Sequence, residues 1–189
     1  MASVITATTT SGLTQQADNS GVLQLASGTG NLVTVPSVTG TAMVSGNMPA
    51  FFAYKNDGDQ SITTATFTKV TFSAEEYDTN SNFASSRFTP TVAGYYQTSA
   101  VITNANGTTP TRQIVILYKN GSAYAPFVDS LNSSTYRNGG SSLVYLNGSS
   151  DYIEIYAYLS GSAGMTLQSG SSTGVGLNTY FSGVLVRAA

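Results

Sequence analysis

Short runs of alternating apolar and polar residues occur along most of this chain, and no stretch has the apolar spacing of an amphipathic helix. The clearest runs are residues 51–54, 66–72, 95–103, 112–119, 124–128, 142–146, 152–159 and 177–186. Asn-Gly dipeptides, which favour tight turns, begin at Asn106, Asn120 and Asn147. About eight to ten strands separated by turns predict an all-β protein, a sandwich or jelly roll.

Residues 1–48 differ from the rest of the chain. They carry one charge, Asp18, and two short apolar runs, at 22–25 and 32–35, that read as strands. Two strands of this length do not make a stable domain alone. We therefore predict an N-terminal anchoring arm or stalk at 1–48, packed on neighbouring subunits or a larger scaffold, and a jelly-roll head at 49–189. A disordered linker is the alternative, against which the Val and Leu content weighs.

Residues 72–100 are predicted to form a corner that joins the two sheets. They contain three phenylalanines around an acidic turn, then Pro90 and Gly94 directly before the strand that opens with Tyr95 and Tyr96. We predict that Gly94 allows no β-branched replacement, because it lies between a turn and a buried strand. The polar stretches 129–141 and 160–176 are expected to be loops at the tips of the sandwich, where recognition would occur.

Two strands carry information on both of their faces. Run 112–119 is apolar on both sides, which predicts a central strand covered on both faces. Run 152–159 is aliphatic on one face, whereas its other face presents Tyr152, Glu154, Tyr156 and Tyr158. Tyrosines bury a large area and still offer a hydroxyl to a partner, so we predict a subunit interface along this second face.

Charge is scarce. Lys, Arg, Asp and Glu make up 8% of the 189 residues and the net charge is −2, against about 25% charged residues in an average soluble protein. A surface covered by copies of the same chain, or a dense β surface, accounts for this composition. No basic field is present, so nucleic acid is not an expected partner. The N-terminus has no cationic start followed by a long apolar run, which predicts neither secretion nor membrane insertion.

The sequence contains few of the residue types that enzymes use for catalysis. Histidine and cysteine are both absent, so no Ser-His-Asp or Cys-His arrangement can form. We predict that the protein is not an enzyme and has no cofactor. Two acidic stretches, Asp57 with Asp59 and Glu75 and Glu76 with Asp78, offer oxygen ligands that suit calcium. Ordinary polar loops account for them better, and no metal ligand is assigned. Stacking on a sugar is a further alternative, with candidate rings at the ends of strands: Tyr124, Tyr136 and Tyr145.

The aromatic spacing resembles the signature of the globular head domain of complement first-component recognition subunits, a jelly roll related to tumour necrosis factor. The residues at the signature positions are Phe72, Asp78, Phe83, Phe88, Gly94 and Tyr96. The resemblance extends over residues 49–187. It departs from the family in a shorter gap between Phe83 and Phe88, and in Thr98 and Ala100 where aromatics are usual. The resemblance implies a homotrimer around a three-fold axis.

A Thr/Ser/Gly-rich β arm before such a head also resembles bacteriophage virion proteins. The first hypothesis is therefore a non-enzymatic structural protein, a trimeric tail fibre or head fibre on the virion surface that contacts the host surface. Its arm, residues 1–48, would bind other virion proteins after assembly in the bacterial host cytoplasm. A capsid decoration protein that stabilises the shell is the second hypothesis. A carbohydrate-binding lectin, with a host surface glycan as ligand, is the third.

Overall fold

The computed structural model describes residues 23–26, 32–35, 48–105, 110–131, 137–161, 165–170 and 177–189. Every regular element in these ranges is a β-strand. The described residues accordingly include no helix that could span a membrane. The strands are β1 (Leu23–Ala26), β2 (Leu32–Val35), β3 (Ala50–Tyr54), β4 (Gln60–Ser61), β5 (Thr68–Lys69), β6 (Ala74–Asp78), β7 (Phe83–Ala84), β8 (Arg87–Phe88), β9 (Gly94–Thr103), β10 (Pro110–Lys119), β11 (Ser122–Leu131), β12 (Arg137–Leu146), β13 (Ile153–Gly161), β14 (Thr166–Leu167) and β15 (Tyr180–Ala188).

Two large antiparallel sheets dominate the head. One has the order β11–β10–β13–β8–β7, with β5 also paired to β13, and the other has the order β12–β9–β15–β3–β6. Consecutive strands such as β8 and β9 lie in different sheets, so the chain crosses repeatedly between them. This is the jelly-roll arrangement that the strand pattern predicted. A small sheet, β14 with β4, completes the head.

The chain divides into two compact units, Met1–Ala42 and Met43–Ala189. In the first unit β1 and β2 pair antiparallel, with Leu23 opposite Val35 and Ala26 opposite Leu32. These strands correspond to the two apolar runs of the N-terminal segment. That residues 1–48 anchor the protein to something larger stays a prediction.

An aromatic cluster between the two sheets forms the centre of the core. Phe51 of β3 is fully buried. Its ring centroid lies 4.9 Å from that of Phe83 and 4.3 Å from that of Phe88, which belong to the opposite sheet. Phe181 of β15 meets the same ring edge-on at 4.8 Å. Because these contacts join both sheets, the cluster ties the sandwich together.

Replacing Phe51 by alanine is expected to lower the free energy of unfolding by about 3–5 kcal/mol, because a buried ring leaves a cavity between the sheets. Urea unfolding followed by circular dichroism measures the loss. Phe67→Ala is the matched control: this ring is 41% exposed and contacts only the outside of a sheet, so a loss of about 1 kcal/mol is expected. Equal losses for the two variants would contradict the central role of Phe51.

The 72–100 stretch passes from one sheet to the other and back. β6 belongs to the five-stranded sheet, the hairpin of β7 and β8 belongs to the six-stranded sheet, and β9 returns to the first. Ser85 and Ser86 form the two-residue turn of that hairpin, both with positive φ (52° and 57°). The short gap between Phe83 and Phe88 is therefore a tight hairpin in which the two phenylalanines pair directly.

Two sequence predictions of local structure are wrong. Residues 66–72 are not one strand, because only Thr68–Lys69 pairs, with β13. The ends of the predicted loop 129–141 are strand instead, because β11 continues to Leu131 and β12 begins at Arg137, whereas residues 132–136 lie outside the described residues. The predicted loop 160–176 is also shorter than expected, since β13 ends at Gly161 and Thr166–Leu167 forms β14.

The turn at Asn120 and Gly121 has positive φ at both residues (52° and 77°), as an Asn-Gly hairpin turn requires. Its Asn120 side chain donates to Asp151 Oδ1 at 2.8 Å, and Lys119 Nζ lies 2.9 Å from Asp151 Oδ2. These contacts lower the pKa of Asp151. A lowered pKa means that the contacts stabilise the fold above the unfolded pKa and are lost as the pH falls. The Asn106 turn lies outside the described residues.

Candidate subunit interface

The outer face of the five-stranded sheet has no charged residue across its middle. Side chains alternate along each strand, and Phe51, Tyr96 and Phe181 point into the core, so their neighbours point outward. Three adjacent cross-strand rows result: Ala50–Val184–Gln97–Leu143, Phe52–Ser182–Ser99–Ser141 and Tyr54–Tyr180–Val101–Gly139. We call these rows, with Tyr77, Tyr95, Tyr145 and Val186 beside them, the uncharged face.

Large apolar side chains are concentrated on the uncharged face. Of the nine exposed large apolar side chains among the described residues, six lie there: Tyr77, Tyr95, Leu143, Tyr145, Val184 and Val186. Leu143 is 50% and Val184 40% exposed, and they flank Gln97 in one row. The rings of Tyr95 and Tyr145 lie 5.4 Å apart and extend this apolar area. Contiguous exposed apolar area of this kind marks a protein interaction site.

Charged groups lie at the rim of this face. Arg187, near the end of β15, pairs with Tyr95 at the start of β9. The Arg137 guanidinium is 5.7 Å from the centre of the Tyr180 ring, and Lys119 Nζ is 5.7 Å from that of Tyr145. A centre without charge and a charged rim fit an interface between subunits, whose core is depleted of charged residues.

The tyrosine face predicted from the sequence lies on the outside of the other sheet. Glu154 is 3% exposed, and its Oε1 accepts from Lys69 Nζ at 2.7 Å and Arg87 Nε at 3.0 Å. The Tyr156 ring stacks on Tyr118 with centroids 3.9 Å apart. Burial, assisted by the charge of Glu154, raises the pKa of the Tyr156 hydroxyl.

The other two tyrosines of this face also have contacts within the chain. The Tyr158 ring lies 5.2 Å from that of Phe67, and the Arg87 guanidinium lies 3.8 Å over the centre of the Tyr152 ring. The chain's own residues thus cover part of the tyrosine face, including its carboxylate. Its role as a trimer interface stays a prediction.

The signature residues lie in or beside the core. Phe72, Phe83, Phe88, Gly94 and Tyr96 are buried, and Asp78 is partly buried. Asp78 Oδ2 accepts a hydrogen bond from the Phe83 backbone N–H at 2.7 Å, which holds the start of β7. The Tyr96 hydroxyl donates to the Val92 carbonyl at 2.7 Å, and burial raises its pKa. These residues pack in the core or bond to the backbone beside it.

The acidic residues considered for calcium make contacts within the protein. Lys55 Nζ lies 2.5 Å from Asp57 and lowers the pKa of that carboxyl. Asp59 accepts from the Ser169 backbone N–H at 2.8 Å. Burial, with the charge of Asp78, raises the pKa of Glu75. No group of three or more acidic residues gathers within the described residues.

Two of the three candidate sugar-stacking rings lie on strands that the structure describes. Tyr124 is exposed on β11, and Tyr145 belongs to the uncharged face. Tyr136 lies outside the described residues.

Solved structures share this arrangement of strands. The globular domain of zebrafish complement 1qA matches with a TM-score of 0.52 and 21% identity, covering 75% of this chain and 98% of that domain. Murine APRIL matches with a TM-score of 0.51 and 11% identity, covering 74% and 99% of the two chains. The head has the tumour necrosis factor/complement C1q jelly-roll fold. The prediction made from the aromatic signature is thus confirmed.

The same fold occurs in a phage protein. PRD1 vertex protein P5 matches the jelly-roll head with a TM-score of 0.52 and 15% identity, covering 74% of this chain and 96% of that protein. Identities this low show a common fold and no more. No protein-family model matches the chain, and no curated protein sequence matches it.

Sequence reasoning did not find the uncharged face. Its residues are spread over β3, β9, β12 and β15, which are distant in the chain and become neighbours only through the jelly-roll strand order. The signal was present in each strand as outward positions without charge, such as Gln97, Ser99 and Val101 of β9. Only the pairing shows that these positions form one surface.

Proposed function

We propose that this protein is a non-enzymatic structural protein of a bacteriophage virion, in which three jelly-roll heads associate and form a surface appendage. The observation that supports self-association most strongly is the uncharged face, which carries exposed leucine, valine and tyrosine side chains and no charge across its middle. A second copy of the chain is the occupant that suits it, because charge is scarce throughout this sequence and an apolar surface is best covered by another apolar surface.

The structural likeness to PRD1 vertex protein P5 supports a position on a virion. The pairing of β1 with β2 supports an arm with β-structure of its own, ahead of the head. In the proposed arrangement residues 1–48 attach the protein to other virion proteins, and the heads face outward as a head fibre or tail fibre that contacts the host surface.

A capsid decoration protein is the second candidate. One structural neighbour, PRD1 vertex protein P5, is a vertex protein, and the likeness to it favours a place on the capsid over a place on the tail. In this role the arm would contact several capsid subunits and stabilise them, and the head would project from the shell.

Cryo-electron microscopy of intact particles tests the proposal. Density for three copies of the jelly roll around a three-fold axis is expected on the particle surface, with residues 1–48 toward the particle. Density on the tail supports the fibre role, and density on capsomers supports the decoration role. If mass spectrometry of the purified particles detects none of this protein, both the fibre role and the decoration role are contradicted.

A further inference from the structure

A polar cavity of about 420 Å³ opens beside the β7–β8 hairpin, on the opposite sheet from the uncharged face. Two cations line it, Lys69 and Arg87, together with three hydroxyl side chains that can bind the hydroxyl groups of a ligand: Ser81, Ser85 and Thr89. Its volume lies in the range of small-molecule sites, about 300–1,000 Å³.

The cavity carries one surplus positive charge. Lys69 and Arg87 share a single carboxylate, Glu154, and both bond to the same oxygen of it. Glu154 is 3% exposed and lies beneath, whereas the side chains of Lys69 and Arg87 are 29% and 43% exposed and face the solvent. The other two lysines are each paired with their own aspartate. An anion in the cavity would therefore meet a positive charge that the chain does not neutralise.

Both cations are held in place before any ligand arrives. Lys69 Nζ also donates to the Ser85 carbonyl at 2.9 Å, and the Arg87 guanidinium rests on the Tyr152 ring. Arg87 uses Nε for Glu154, and its two terminal nitrogens have no partner among the described residues. A guanidinium fixed at one nitrogen, with its other donors free, is well suited to receive a carboxylate or phosphate.

The backbone around the cavity is strained. Five residues other than glycine have positive φ in the described part of the chain, and three are here: Ser81, Ser85 and Ser86. The turn at Ser85 and Ser86 would ordinarily contain Asn-Gly, and serine in this conformation costs about 1 kcal/mol or more per residue. Ser86 Oγ accepts from the Phe72 N–H at 2.8 Å, which holds the hairpin in this form. Strained residues tend to cluster at binding sites.

We propose that this cavity binds the oxyanion of an acidic sugar. The carboxylate or phosphate would pair with the terminal nitrogens of Arg87 and with Lys69, and the sugar hydroxyls would bond to the polar side chains at the rim. The proposal deepens the host-contact role and rests on it for the source of the sugar. Sugar binding is measured on the purified protein, whereas the virion role is tested on intact particles. The sugar proposal and the virion proposal can therefore fail independently.

The test uses saturation-transfer difference NMR on the full-length protein with D-glucuronate, glucose 6-phosphate and glucose. At least one acidic sugar is expected to bind about tenfold more tightly than glucose, because one charged hydrogen bond has this value. Preference for glucuronate assigns a carboxylate, and preference for glucose 6-phosphate assigns a phosphate. Equal binding of all three sugars, or no binding, overturns the proposal.

Two variants test whether the acidic sugar binds at Arg87. Arg87→Gln is expected to weaken binding of the acidic sugar about tenfold or more and to leave glucose unaffected. Arg112→Gln removes the same charge from a surface pair with Asp129 on another part of the sheet, and it should bind like the wild type. If Arg87→Gln fails to fold, Arg87→Lys keeps the charge but loses the planar fork, and weaker binding is still expected. Wild-type affinity in a folded Arg87 variant overturns the assignment.

Discussion

Replacing Gly94 by valine is expected to remove the protein from the soluble fraction. Gly94 opens β9 opposite the last residues of β15, and a Cβ there would lie 2.3 Å from the Arg187 carbonyl oxygen and 2.7 Å from Leu185 Cδ1. The nearest of these atoms belongs to the backbone, so relief requires the two strands to separate. Overpacking by one small group costs about 1–3 kcal/mol, and valine adds two further methyl groups at a site with no room for the first.

Expression in the soluble fraction, followed by thermal unfolding of whatever is recovered, measures this effect. Gly94→Ala should give an intermediate result, because it introduces the Cβ alone. Gly58→Ala is the control: φ is +95° at Gly58 but a Cβ there meets nothing within 4 Å, so only backbone strain of about 1 kcal/mol is expected. A Gly94→Val protein as soluble and stable as the wild type would show that β9 and β15 do not approach each other in this way.

Strands with one or both faces buried were predictable from the sequence. The run 95–103 corresponds to Gly94–Thr103, 112–119 to Pro110–Lys119 and 152–159 to Ile153–Gly161. Each contains apolar residues at alternating positions because alternate side chains enter the core. β10 is buried on both faces, as its two apolar sides predicted. These strands pair at the centre of their sheets, where burial determines the residue type.

Strands at the sheet edges escaped prediction for a physical reason. Ala74–Asp78 pairs only with β3 and contains three acidic residues, which are depleted in strands. Gly139 and Gly140 suggested a loop, yet they lie inside β12. A Cβ at Gly139 would be 2.2 Å from the Ala100 carbonyl oxygen, and one at Gly140 would be 2.7 Å from that of Phe127. Glycine here permits close approach of strands, and single-sequence patterns do not distinguish this from a turn.

The candidate surfaces show the same limit. Residues of one strand could be assigned to one face, so the sequence predicted Tyr152, Glu154, Tyr156 and Tyr158 as a group. It could not show that Lys69 and Arg87, distant in the chain, would neutralise the glutamate. Nor could it show that Leu143 and Val184 would lie two strands apart in one row. Pairing between distant strands decides both surfaces, and no local pattern encodes it.

Introducing glutamate at both Leu143 and Val184 is expected to convert the proposed trimer into a folded monomer. Both side chains are about half exposed in the single chain, so the glutamates remain solvated there and the fold tolerates them. In an assembly that covers the uncharged face, each copy would bury two unpaired carboxylates, and each costs several kcal/mol. The wild type should have three times the 19.6 kDa mass of one chain by light scattering, and the variant should have the mass of one.

A second variant compares this face with the tyrosine face predicted from the sequence. Tyr158→Glu places a single glutamate, against two in the first variant, on the outside of β13, beside Phe67 and Arg112. If subunits associate through the uncharged face, this variant keeps the trimer mass while the Leu143/Val184 variant loses it. The reverse result would assign the interface to the tyrosine face. Circular dichroism of each variant confirms that the chain is folded, so that a change of mass reports association alone. Trimers in both variants would exclude the uncharged face, because two buried, unpaired carboxylates on the true interface are incompatible with assembly.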